Sequence, residues 1–155
     1  MKRNLLILLS LLLTATIQLK AQTSPAAMPT VGQTNPWTDA QLLAPSKLAA
    51  DITSGDAKTP VIFNIGAVED IKGAKHIGAV NNAGNLEKFK KAVSGLPKNT
   101  PVVVYCGCCP FSKCPNIRPA FLALQKLGFT DIKVLDLPVN LQTNWIAKKY
   151  PLASE

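Results

Sequence analysis

The chain has 155 residues, 47% of them hydrophobic, which is too apolar for a disordered tail and enough for one domain with a sizeable core. Seventeen Lys and Arg against nine Asp and Glu give a formal charge of +8. These basic residues are spread out and accompany no nucleic-acid motif, so the charge reads as solvation with some pull on small anions, and no nucleic-acid partner is expected.

The first 21 residues read as a secretory signal peptide. Met1-Lys2-Arg3 is basic, Leu5 to Leu13 is nearly all Leu and Ile, and Leu19-Lys20-Ala21 precedes a cleavage point before Gln22. The apolar run is short for a membrane span, and no cysteine lies near the cleavage point to carry a lipid. The expectation is an exported protein, periplasmic or secreted, with no stable membrane insertion after cleavage. An uncleaved N-terminal anchor is the alternative. Without Lys2, Arg3 and Lys20 the charge falls to +5.

Residues 22–36 are rich in Thr, Ser, Pro, Ala, Gly and Gln and read as a flexible linker; residues 37–155 read as the domain. Pro45-Ser46 opens a helix with Leu48, Ala49 and Ile52 on one face, ended by Gly55. Pro60 to Ile65 is a β-branched and aromatic run, hence a buried strand. A loop-like stretch from Gly66 holds one short candidate strand, Ile77 to Val80. Asn85 is positioned to cap a helix carrying Leu86, Phe89 and Val93, stopped by Gly95 and Pro97. Pro101 to Tyr105 is the next buried strand. A helix starting near Pro115-Asn116 follows, with Phe121, Leu122, Leu124 and Leu127 inward and Gly128 at its end. Ile132 to Leu135 is the last strand, and Asn140 to Tyr150 the last helix, with Leu141, Trp145 and Ile146 on its apolar side. Alternating strands and helices predict an α/β domain, a small parallel sheet covered by helices on both faces. In such sheets the reactive groups sit at the C-terminal ends of strands, and Cys106 is there.

All four cysteines fall between positions 106 and 114: Cys106, Cys108, Cys109 and Cys114. Cysteines this close would close only tiny loops, so they do not form a framework of staples. Clustering together with export favours redox, sulfur-transfer or metal chemistry. A thiol becomes a nucleophile when a helix N-terminus or nearby cations lower its pKa. The backbone N–H groups from Gly107 through Cys108, Cys109, Phe111 and Ser112, with those of the following helix, are expected to form an anion-binding cup. Lys113 and Arg118 are expected to add positive charge, unless Arg118 lies on the solvent face. The competing reading of Cys106 is an inert buried thiol.

The ordered set Val102-Val103-Val104-Tyr105-Cys106, Gly128-Phe129, Ile132-Lys133-Val134-Leu135-Asp136, Trp145 and Tyr150-Pro151, with Lys75-His76-Ile77-Gly78-Ala79-Val80 upstream, resembles the rhodanese-like domain over roughly residues 45–152. The resemblance implies that fold and a sulfurtransferase carrying sulfane sulfur as a persulfide on Cys106, which the expected signal peptide would make an exported one. It implies no required cofactor, and a small-molecule sulfur donor and a thiol acceptor as partners. It also implies that His76, the sole histidine, supports a turn. Three features differ from the family. Its Asp-Val-Arg is Asn64-Ile65-Gly66 here, the loop after Cys106 is longer, reaching its first Arg at Arg118, and three extra cysteines, Cys108, Cys109 and Cys114, lie in or beside that loop.

Three readings of Cys108, Cys109 and Cys114 stand side by side. One or more resolves the persulfide as a second thiol. Alternatively, with Cys106, they bind a soft metal such as Cu(I) or Zn(II). Or two of them form a disulfide that stiffens the loop. Accordingly two other functions compete with sulfur transfer: a thiol–disulfide oxidoreductase using the Cys106/Cys109 pair, and a non-enzymatic metal-binding or sulfur-carrier module. A phosphatase is disfavoured, because no Arg follows Cys106 at the Cys-x5-Arg spacing.

Overall fold

The computed structural model describes residues 34–55 and 59–153. The expected signal peptide and most of the expected linker lie outside them. Five strands, β1 (Leu42–Leu43), β2 (Val61–Asn64), β3 (Lys75–His76), β4 (Val102–Tyr105) and β5 (Ile132–Leu135), alternate with four helices among the described residues. These are α1 (Pro45–Ser54), α2 (Ala83–Ser94), α3 (Ile117–Lys126) and α4 (Leu141–Asn144). The strands form one sheet in the order β1-β5-β4-β2-β3, and every pairing is parallel. The α/β architecture expected from the alternating pattern is the one observed.

β4 lies at the centre because it is apolar on both faces, as a strand covered from both sides must be. It pairs with β2 from Val61↔Val102 to Asn64↔Tyr105. Successive side chains then go to opposite faces. Phe63, Val102 and Val104 pack with Phe89 and Val93 of α2 and Ile117, Phe121 and Leu124 of α3. Ile62, Val103 and Tyr105 pack with Leu48 and Ala49 of α1 and with Leu141 and Trp145. Two apolar layers therefore sandwich the sheet, and the loop after β4 emerges between them.

Several local details differ from the sequence reading. The edge strand is Lys75–His76, not Ile77 to Val80. β2 ends at Asn64, so its neighbour has register partners only at Phe63 and Asn64 before the chain turns away. The cap of α2 is Asn82, whose side chain accepts the N–H groups of Gly84 and Asn85, while Asn85 donates to the Ala79 carbonyl. Leu122 is 47% exposed, because helical periodicity that points Phe121 and Leu124 inward carries Leu122 to the outer face. The last helix stops after one turn. Trp145 (φ −127°, ψ −63°) breaks it, and a 3₁₀ turn at Ile146–Lys148 follows. The break lets the Trp145 indole N–H donate to the Pro151 carbonyl at 3.0 Å and the ring meet Tyr150 edge-on. β1 has only two residues, too few for a period to show. Among the described residues no helix is long and apolar enough to cross a membrane.

Tyr105, the last residue of β4, ties down the loop after β2. Its hydroxyl accepts the Ile71 N–H at 2.9 Å and donates to the Glu69 carbonyl at 3.1 Å. Burial pushes its pKa up, so it stays a phenol. Tyr105→Phe removes one partner from each of two backbone groups. It is expected to lower unfolding stability by about 1–3 kcal/mol, measured as a shifted midpoint in urea with an unchanged slope.

Candidate active site

Cys106 leaves β4 on the face opposite Tyr105 and is 1% exposed. Two glycines make its position possible. At Gly66 a Cβ would stand 2.8 Å from the Cys106 sulfur and closer still to its carbonyl oxygen, so only glycine fits beside it. Gly107 has φ +76°, and a Cβ there would meet Leu141 at 2.8 Å. The Gly107 carbonyl also accepts the Leu141 N–H at 2.8 Å, which clamps the turn onto the start of α4.

That turn brings Cys108 back over the strand end. Its sulfur is 3.2 Å from that of Cys106, and the Cys109 sulfur is 3.5 Å from that of Cys108. Residues Phe111–Lys113 make a 3₁₀ turn. It is anchored by the Phe111 N–H to the Leu137 carbonyl (3.1 Å) and by the Phe111 ring against Trp37 (6.2 Å). The chain re-enters the core at Cys114, which is buried. The sulfurs of Cys106, Cys108 and Cys114 all lie within 4.8 Å of one another and can share one thiophilic ion; Cys109 stands outside that trio.

Asn116 completes the site. It precedes α3 but caps nothing with its side chain. It is buried, and its Nδ2 donates to the Cys106 sulfur at 3.2 Å while its Oδ1 accepts the Asn81 N–H at 2.9 Å. The Asn81 donor fixes which end of the amide faces the sulfur.

These donors lower Cys106 to about 5. Hydrogen bonding from the Cys114 thiol contributes most, burial opposes it, and Asn116 and the N–H and thiol of Cys108 add to it. Cys114 is pushed up, first by its hydrogen bond to Cys106 and then by burial, against the Asn116 and Ile117 N–H groups that bond its sulfur. Burial, then its sulfur neighbours, raise Cys108 to about 12. At neutral pH the cluster therefore carries its charge on Cys106, while Cys108 and Cys114 keep their protons.

The expected anion cup takes a different form. The N–H of Cys108 serves the Cys106 sulfur, those of Asn116 and Ile117 at the start of α3 serve Cys114, and that of Phe111 is spent on Leu137. Ser112 and Lys113 lie exposed on the 3₁₀ turn. Arg118 donates to the Thr34 carbonyl and to Asn35 and lies over the Trp37 ring, on the segment before β1. His76, at the end of β3, contacts Asp70 of the loop after β2 at 2.9 Å and Asn64 at the end of β2 at 3.2 Å. Asn64 itself accepts the Gly66 N–H and donates to the Val68 carbonyl and Asp70. The sequence reading missed Asn116 and Gly66 as site residues. Asn116 read as a helix boundary, and only its unused capping role would have hinted at another task.

Compared with known proteins, the chain matches no family model and no curated sequence.

Asn116→Ala removes a hydrogen bond to the charged sulfur, worth about 1.5–3 kcal/mol, so the Cys106 pKa is expected to rise by about one to two units. Thiolate ultraviolet absorbance followed against pH reads this directly; an unmoved titration would show that Asn116 does not hold the anion. Gly66→Ala is expected to destabilise the fold by about 1–3 kcal/mol or more through overpacking against Cys106, seen as a lower urea midpoint.

Proposed function

We propose that this chain is a sulfurtransferase of the rhodanese-like kind, with Cys106 as the carrier of sulfane sulfur. The observation that carries the reading is the Cys106 sulfur itself. It stands at the C-terminal end of the central parallel strand, held as an anion by the Asn116 amide, the Cys108 N–H and the Cys114 thiol. The ordered resemblance of residues 45–152 to that family supports it.

In this mechanism the Cys106 thiolate attacks the outer sulfur of a donor such as thiosulfate. A sulfur–sulfur bond forms on Cys106, the bond to the sulfonate sulfur breaks with its electron pair, and sulfite leaves. The persulfide anion then passes its outer sulfur to a thiol acceptor, and Cys106 departs as thiolate. A leaving group already stable as an anion favours that second step as the lowered pKa favours the first. Nothing in the sequence of bonds requires a cofactor. The N-terminal 21 residues support an exported location for this chemistry.

The oxidoreductase alternative takes a changed form. Of Cys108 and Cys109, it is Cys108 whose sulfur touches that of Cys106, across a Cys-x-Cys turn, so Cys108 rather than Cys109 is the favoured redox partner. The trio of sulfurs within 4.8 Å supports soft-metal binding as a second reading.

Thiosulfate is expected to release about one sulfite per reduced chain and none from Cys106→Ser. With the contacting thiol removed in Cys108→Ser, intact mass spectrometry is expected to show one sulfur atom gained and lost again on treatment with a thiol reductant. No sulfite from the wild-type chain would sink the carrier reading. The rate of sulfite release is expected to rise with pH through about 5 and to level off above it, because the attacking species is the thiolate and Cys106 is lowered to about 5. An ordinary thiol would still be gaining rate near its pKa of roughly 8.5. In Cys114→Ala the same rise is expected at higher pH, since the thiol that contributes most to holding the anion is removed.

A further inference from the structure

We propose that the loop also reduces the sulfur it carries to sulfide, with Cys108 as the thiol that expels it from Cys106. This activity rests on the persulfide reading above and extends it: the chain is then a sulfane-sulfur reductase as well as a transferase. Its co-reactant is a dithiol, small or protein-borne, that restores the loop.

The geometry separates the roles of the cysteines. The Cys106 and Cys108 sulfurs are 3.2 Å apart, already in contact. The turn between them is built on Gly107 at φ +76°, wedged against Leu141 and Val68, and the Leu141 N–H holds its carbonyl. A turn clamped in this way keeps the two sulfurs facing each other. Cys106 and Cys114 are buried, whereas Cys108 is exposed. A bond between Cys106 and Cys108 would therefore lie where an external thiol reaches it, and a bond between Cys106 and Cys114 would not. Disulfides across so short a turn are strained and readily reduced, which suits a bond made and broken in each cycle.

The step balances without an outside oxidant. Cys106 holds the persulfide Cys106–S–S⁻, and Cys108 attacks the inner sulfur. The Cys106–Cys108 bond forms, the bond to the outer sulfur breaks, and its electron pair goes with that outer sulfur. The Cys108 proton moves to it, and HS⁻ leaves. The sulfane sulfur is reduced by two electrons, and the two cysteine sulfurs are together oxidised by two. The proton passes from Cys108 to the outer sulfur as the Cys108 sulfur becomes the attacking thiolate, so the contacting pair needs no outside acid or base. The dithiol then exchanges with the exposed sulfur, becomes a disulfide itself, and returns both cysteines to thiols.

The test uses the fully reduced chain, thiosulfate and no added thiol, with sulfite, sulfide and mass followed together. The expected result is about one sulfite and one sulfide per chain, then arrest, with two hydrogens lost. The loss is expected within the tryptic peptide of residues 99–113, which contains Cys106, Cys108 and Cys109 but not Cys114. Cys108→Ser is expected still to release about one sulfite per chain, to accumulate the persulfide, and to form sulfide at least about tenfold more slowly. Cys109→Ser is expected to behave as the unaltered chain. Sulfite without sulfide in the unaltered chain, or sulfide formed at full rate in Cys108→Ser, would overturn the reductive step and leave the carrier intact. Absence of sulfite altogether would overturn the carrier reading and this step with it.

Discussion

A negatively charged sulfur with almost no exposure to water sets the terms for the rest of this molecule. Burying an unpaired charge costs several kcal/mol even after relaxation, and hydrogen bonds to a charged group return about 1.5–3 kcal/mol each. Cys106 is viable as a thiolate only because donors converge on it from three places: the Cys108 N–H beyond the turn, the Cys114 thiol after the 3₁₀ segment, and the Asn116 amide ahead of α3. Each comes from a different part of the loop, so the whole loop must hold its shape for the charge to be tolerated. The Asn81 N–H, from the segment before α2, keeps the Asn116 amide the right way round.

The two faces of β4 cooperate in this. Tyr105 and Cys106 are neighbours in sequence and point to opposite layers, yet both fix the stretch after β2. Tyr105 holds it through Ile71 and Glu69, and Cys106 packs against Gly66 at its start. On the Tyr105 side, Leu141 and Trp145 close the layer, and the Leu141 N–H reaches through to the Gly107 carbonyl. The one-turn α4 is thus less a helix of the wall than a clamp between the C-terminal Trp145–Pro151 clasp and the cysteine turn. Damage to that clasp would be felt at the sulfurs.

The parts of the fold that rest on apolar periodicity could be read from sequence. β2, β4 and β5 are runs of β-branched and aromatic residues, and α2 and α3 carry Phe89, Val93, Phe121 and Leu124 at helical spacing. What could not be read depends on contacts between distant segments. Leu42–Leu43 is a strand only because β5 offers it an edge. The last helix breaks because the Trp145 indole finds Pro151. At the site, Cys106 was legible from its place after an apolar run and the density of cysteines around it. Asn116 was not, since its amide is turned to Cys106 by a donor thirty-five positions upstream. Gly66 looked like one more loop glycine until the Cys106 backbone was seen against it.

The charged residues nearest the cysteines in sequence are not among the groups named as holding the Cys106 anion. Lys113 is exposed on the outer side of its turn, and the described contacts of Arg118 are with Thr34, Asn35 and Trp37. The groups named around the thiolate are instead neutral: an amide, a backbone N–H and thiols. A cation would stabilise a persulfide anion and a bound anionic donor alike, and salt would screen it where it reached solvent. Neutral donors at hydrogen-bond distance act only on the atom they touch. These donors stabilise the anion on Cys106, and in the proposed persulfide they would stabilise it less on the outer sulfur. On the proposed persulfide reading, a carried sulfur would gain little from staying, and Cys108, in contact with Cys106, would be well placed to displace it.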